Sequence, residues 1–180
     1  MSAQKIGKGG FFGHDAPRKG HLFSGSLSET ERAFIDALPY TATLDDCLFV
    51  HASAAQPGDW EYLTTRRAIA RCLAASTAHL TCAGHVHRTD LHFSTRDGFA
   101  SFAPPAGVPI PLSQGRRWLA LIGSVGQPRD GDPRGAYAIL DIARCEIVYH
   151  RVAYDWMRAA EKIRAAGLPE PVAKRLEYGR

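Results

Sequence analysis

Two short segments place histidine where a strand should end: Phe49-Val50-His51-Ala52-Ser53 and Gly84-His85-Val86-His87. A neutral imidazole offers a lone pair to a divalent ion or a proton, and open α/β sheets gather their ligand sites at the carboxyl ends of strands. Each segment also has a plainer reading. His51 alone reads equally as an ordinary hydrogen-bonded or exposed residue, and a His-x-His pair is only modestly specific for metal. A third segment, residues 123–134 (Gly-Ser-Val-Gly-Gln-Pro-Arg-Asp-Gly-Asp-Pro-Arg), sets Arg129 and Asp130 in a turn-rich loop. Its backbone N–H groups could cradle an anion and Arg129 could pair with phosphate. The alternative is that residues 127–134 simply join two strands through Pro and Gly turn chemistry.

The elements that must position these side chains follow from periodicity. Residues 1–26, rich in Gly, Lys, Arg and His, show neither helical nor strand period and read as an irregular lead-in, with the folded part over residues 27–180. Ser28-Glu29-Thr30-Glu31 has the spacing of a capping box, and Ala33, Phe34, Ala37 and Leu38 form a helical stripe that Pro39 ends. Residues 44–50 read as one short strand after the turn acids Asp45 and Asp46, its run Cys47-Leu48-Phe49-Val50 suggesting burial on both faces. Residues 60–75 read as a long helix with Leu63, Arg67, Ala70, Cys72 and Leu73 inward; Trp60, Glu61 and Tyr62 at its start either pack on the core or line a pocket beside His51. Residues 80–83 form a second brief strand, and residues 91–94, 99–102, 118–125, 136–142 and 146–154 read as strands between Pro and Gly turns. Asp155 caps a helix that Gly167 stops, and a last short helix starts at Pro169. His21, His79, His92 and His150 lie outside any motif and read as surface or structural residues.

Bulk composition bounds the rest. A chain of 180 residues, 45% apolar and 22% charged, suits one compact globular domain and excludes collagen-like, coiled-coil and disordered classes. No run approaches the ~20 apolar residues of a membrane span, and Lys5 and Lys8 occupy the place of a secretory apolar core, so the cytoplasm is the expected location and no membrane partner is expected. Cys47, Cys72, Cys82 and Cys145 lack paired spacing and read as reduced, mostly buried thiols. The net charge of +4 suits weak attraction to phosphate-rich ligands, but the basic residues are too scattered to argue for nucleic acid.

Taken in order, Val50-His51-Ala52-Ser53, Gly84-His85-Val86-His87 and residues 123–134, followed by Ala136-Tyr137-Ala138-Ile139-Leu140-Asp141, resemble the calcineurin-like metallophosphoesterase superfamily. The likeness is strongest to its bacterial and archaeal diadenosine-tetraphosphatase-like and protein-phosphatase-like branch, and runs from about Ser28 onward. The resemblance implies an α/β fold: part of a four-layer αββα sandwich of mixed sheets flanked by helices. It implies that His51 and His85 ligate one divalent ion, His87 a second, with Mn, Fe, Zn or Ni as the metal, and that Arg129 meets substrate phosphate. The implied reaction is hydrolysis of a phosphomonoester, a phosphodiester or a dinucleoside polyphosphate, the substrate being a small phosphate ester or a phosphoprotein.

The same resemblance implies an N-terminal Asp-x-His, a Gly-Asp that bridges both ions, and a Gly-Asn-His-Asp. The first two do not occur upstream of His51. Phe12-Gly13-His14-Asp15 is the nearest match to the third; it keeps His14 as the catalytic candidate and has Gly13 where the liganding Asn would stand. Ala52, Val86, Arg88 and Leu121-Ile122 are smaller departures. Two divalent ions bring about four positive charges together, and imidazoles neutralise none of them. Two expectations follow. One is a metal-dependent phosphoric-ester hydrolase with an incomplete site and its N-terminal strands missing. The other is a truncated, catalytically silent or partner-dependent fragment acting as a binding or regulatory module. An open sheet edge would suit a homo-oligomer or a separately encoded N-terminal half.

Overall fold

The computed structural model describes residues 27–180. Helix α1, Glu29–Ala37, lies in a unit that ends at Pro39, and Tyr40–Arg180 form the other unit. The capping box is present in α1: Ser28 Oγ accepts from Glu31 N at 3.3 Å while Glu31 Oε2 accepts from Ser28 N at 2.7 Å. None of the residues of α1 is buried, so its apolar stripe marks no core.

In the larger unit, β1 (Thr41–Leu44) and β2 (Cys47–Val50) form a hairpin turned by Asp45 and Asp46. A single strand over residues 44–50 is therefore replaced by two: Asp45 takes a left-handed φ of 50°, which an extended strand cannot contain. Phe49 is 36% exposed, so β2 is not covered on both faces as its apolar run suggested. Helix α2 spans only Arg66–Ala75, with Thr65 as its cap. The long helix from residue 60 fails because Trp60, at φ 55°, is left-handed and ends a single 3₁₀ turn at Pro57–Asp59. Its buried face is Ala68, Ile69, Cys72 and Leu73, while Arg67 and Ala70 face outward.

The remaining elements are β3 (Leu80–Ala83), β4 (Thr89–Thr95), β5 (Gly98–Phe102), β6 (Pro109–Pro111), β7 (Trp118–Ile122), β8 (Gly135–Asp141), β9 (Glu146–Val152), α3 (Trp156–Ala165) and α4 (Glu170–Tyr178). Strand β6 carries two prolines in three residues and was not anticipated; proline is tolerated there because β6 is an edge strand. A six-stranded sheet runs β1-β2-β3-β7-β4-β5, and a three-stranded antiparallel sheet runs β6-β9-β8. Among the strands of the described residues, β2-β3 and β3-β7 are the parallel pairs, with Val50 opposite Ala83 and Ala83 opposite Leu121. Helix α2 makes the crossover between β2 and β3.

Leu80, Cys82, Leu91 and Trp118 of the large sheet meet Ile110, Ile147 and Tyr149 of the small one. On the opposite face Val50, Ala83, Leu119 and Leu121 pack under the apolar side of α2. Side chains as buried as Leu80 and Leu119 each contribute about 1.5–3 kcal/mol, so the centre of the large sheet is the stiff part of this unit. Helices α3 and α4 pack on each other through Ala160, Ala173 and Leu176. Two stacked sheets with a helix on the large one give the mixed, layered α/β architecture that the resemblance implied. All four cysteines are free, and among the described residues no helix is long and apolar enough to cross a membrane.

Candidate metal centre

Parallel register builds the site. Val50 and Ala83 stand opposite each other, so the residues that follow them emerge side by side: His51 O accepts from Gly84 N at 2.9 Å, and His51 Nε2 lies 3.1 Å from His85 Nδ1. Strand β4 runs antiparallel to β7 with Thr89 opposite Ile122, which brings His87 and the loop after β7 to the same end. His85 (φ 63°) and His87 (φ 58°) both adopt left-handed backbone, which costs about 1–2 kcal/mol for a residue with a Cβ and gathers at functional sites.

Burial pushes all three imidazoles toward the neutral form. Burial pushes the His85 pKa down to about 4, with help from His51, His87 and Arg129, while the Trp60 backbone opposes it weakly. Burial also lowers His51, whose exposed ring is covered on one side by Trp60 with centroids 4.4 Å apart. His87 is lowered by burial as well, against the opposing Gln127 carbonyl. Tyr62 lies over His85 at 4.1 Å, so Trp60 and Tyr62 border the cluster rather than filling the core. His85 Nε2 is out of water and makes no well-formed hydrogen bond, which for a buried nitrogen costs about 1–3 kcal/mol.

A divalent ion fits this arrangement in part. Donors at bonds of about 2.0–2.2 Å and angles between octahedral and tetrahedral stand roughly 2.9–3.5 Å apart, and the His51 Nε2 to His85 Nδ1 separation of 3.1 Å falls in that span. The same separation also suits a direct imidazole–imidazole hydrogen bond. Among the described residues, however, no group of three or more His, Cys, Asp or Glu is placed to hold an ion. The described residues thus bring two imidazole nitrogens together without a carboxylate placed to join them.

Arg129 is turned by the side chain of its neighbour, Nε and Nη2 reaching Gln127 Oε1 at 3.2 and 2.7 Å, and its charge is felt by His85 and His87. His14 lies outside the described residues, as does His21. The other histidines stand apart: His92 is buried, both ring nitrogens without a hydrogen bond; His79 Nε2 likewise has none; His150 stacks on Tyr137 at 4.9 Å. Sequence reasoning passed over Thr89 and gave Asp130 and Arg151 no role at the site. Asp130 Oδ2 accepts from Thr89 N at 3.0 Å and Oδ1 from Arg151 Nη1 at 3.1 Å, locking the loop after β7 to the start of β4.

No protein-family model matches the chain. It is 32% identical over 151 residues to an uncharacterized protein of Methanocaldococcus jannaschii, an alignment covering 82% of this chain and 59% of that protein. The chain thus spans 59% of the length of the curated relative it matches. Among solved structures it resembles a metallophosphoesterase from Sphaerobacter thermophilus with a TM-score of 0.82 and 29% identity, over 98% of this chain and 74% of the other. A hypothetical protein from Pyrococcus horikoshii OT3 shares the fold at a TM-score of 0.63 and 18% identity, over 87% of this chain and 57% of that one.

Proposed function

From the premise that this chain has the calcineurin-like metallophosphoesterase fold, we propose that it carries the imidazole half of a metal-dependent phosphoric-ester hydrolase centre. The observation that carries this reading is the His51–His85 pair: neutral nitrogens 3.1 Å apart, at the aligned carboxyl ends of two parallel strands. In this reading His51 and His85 hold one ion and His87 faces a second. A divalent ion bound there would supply Lewis acidity toward a phosphoryl oxygen. Arg129 would orient a substrate oxygen through its guanidinium, and Trp60 and Tyr62 would limit water at the imidazoles. The substrate is a phosphomonoester, a phosphodiester or a dinucleoside polyphosphate, met in the cytoplasm.

A second reading is favoured by the absence of any complete ligand group among the described residues. Here the chain is silent alone, and carboxylates from outside residues 27–180, or from a partner chain, complete the centre. Metal analysis and calorimetry with Mn²⁺ and Zn²⁺, with turnover of p-nitrophenyl phosphate and bis(p-nitrophenyl) phosphate in Mn²⁺, separate the two. The first reading expects bound metal and turnover, the second weak metal binding and none. In both, His51→Ala and His85→Ala lower metal affinity at least tenfold, and undiminished affinity in the two variants rejects both.

A further inference from the structure

The loop after β7 is laced residue by residue to the segment that carries His87. Gln127 O lies 2.8 Å from His87 Nδ1, and His87 O accepts from Arg129 N at 2.8 Å. Asp130 Oδ2 then accepts from Thr89 N at 3.0 Å and from Thr89 Oγ1 at 3.1 Å. Arg151 of β9 grips the other side of this carboxylate, Nη1 donating to Oδ1 at 3.1 Å and Nη2 contacting Oδ2 while it donates to Thr89 Oγ1 at 2.8 Å. The two side chains are only 10% and 11% exposed, so this is a buried clamp and not a surface pair.

A carbonyl can only accept. A neutral His87 must therefore carry its proton on Nδ1 and present Nε2 as an acceptor, a choice that an unconstrained imidazole is free to reverse. The lacing means that the place of Gln127 O depends on where Asp130 is anchored three residues later. Gln127 also orients Arg129 through its own side chain, so one anchor governs both groups.

We propose that Asp130, anchored by Arg151, is a positioning residue that holds the Gln127 carbonyl against His87 and so fixes His87 as the Nδ1–H tautomer, Nε2 free to accept. The proposal deepens the phosphoesterase reading above and rests on it for the use to which Nε2 is put. In this role the clamp acts through other groups and is not itself a ligand. Its action is carried by the backbone of residues 127–130, and the same bonds keep Arg129 beside the histidines.

Long-range proton–nitrogen NMR of the full chain at pH 8, free of metal, reads the tautomer of each histidine. The wild type is expected to show His87 as Nδ1–H alone. In Asp130→Asn, Arg151→Lys and Thr89→Val, the last removing only the hydroxyl bonds, His87 is expected to become a mixture of both tautomers. The signals of His79, at the opposite end of β3, and the far-ultraviolet circular dichroism stay native. A His87 that remains locked as Nδ1–H in the variants that fold overturns the proposal. Zn²⁺ added to the wild type distinguishes the two ideas: relaxed tautomers in the variants with no zinc response in the wild type sink the phosphoesterase reading and leave the positioning role standing.

Discussion

His51 lies against His85, with His87 close enough to shift the His85 pKa, whereas a few residues away Asp130 lies in the fork of Arg151, with Thr89 completing its hydrogen bonds. Both groups sit at the same end of the large sheet, the clamp buried and the imidazoles only partly so. The clamp satisfies itself: burial alone would raise the Asp130 carboxyl, yet the Arg151 guanidinium and Thr89 outweigh it and hold the pKa below the usual range. In the imidazole cluster His85 Nε2 is left without a well-formed hydrogen bond, on a ring whose pKa burial pushes down to about 4. A folded chain tolerates such a deficit where something else makes use of it, so the contrast separates what holds the end of the sheet together from what is offered to a ligand.

If that division is right, the clamp governs stability and the cluster does not. Asp130→Ala leaves the buried guanidinium of Arg151 with the Thr89 hydroxyl, Asp132, 3.9 Å away, and the Arg134 carbonyl, none of them a close carboxylate. Breaking a buried pair from one side costs about 3–5 kcal/mol, to be read from urea unfolding followed by circular dichroism. A loss under about 1 kcal/mol would reduce the clamp to a surface ion pair. Gly123→Ala strikes the same joint from behind. At φ 91° the added Cβ would stand 2.7 Å from Ala136 Cβ and 2.9 Å from Thr89 Cγ2, both on stiff strands, and the expected cost is about 2–3 kcal/mol. Unchanged stability would mean that β4 and β8 yield more easily than their pairing suggests.

How much of this could be read from the sequence depends on range. The convergence of His51 and His85 was legible because strand-end histidines after two apolar runs imply adjacent tips once the strands pair in parallel. The start of α2 was not: Trp60 belongs to a helix by propensity, and only the left-handed turn after Pro57–Asp59 removes it and swings its ring onto His51. Strand β6 was hidden by its prolines. The clamp left no local signal, since Thr89 and Asp130 are 41 residues apart and Asp130 and Arg151 21 apart, with no period linking them. Asp130 therefore read as one more turn residue in a loop rich in Pro and Gly.

Acid should open the two clusters in different pH windows. Unfolded imidazoles bind protons near pH 6.5, but the folded chain holds His51, His87 and the core residue His92 below that and His85 near 4. Below pH 6.5 the unfolded state binds more protons, so stability falls as pH drops from about 7 toward 4. The Asp130 contribution is present above its unfolded value of 3.8 and is lost only as pH falls below that. Urea midpoints at pH 7.5, 5.5 and 4.5 should decline steadily, and His92→Phe, which removes a buried ring with no hydrogen bond, should flatten part of the decline. Flat midpoints over that range would mean that the imidazoles are as easily protonated folded as unfolded.

The smallest effect makes the sharpest test of the contrast. His85 carries a left-handed backbone and a buried nitrogen without a well-formed hydrogen bond, both of which cost the metal-free chain stability. Glycine relieves both. Relief of a left-handed residue is worth about 1 kcal/mol, and it is offset by loss of the ring packed against Tyr62 and Trp60. His85→Gly is therefore expected to leave unfolding free energy unchanged or to raise it by up to about 1 kcal/mol, while Zn²⁺ affinity falls. A structural residue would behave in the opposite way, and a loss of more than about 1 kcal/mol would put His85 beside Asp130 and Arg151 as part of the frame. A neutral or stabilising result would mean that this residue is kept at the expense of the fold, as expected of a group whose partner is a ligand.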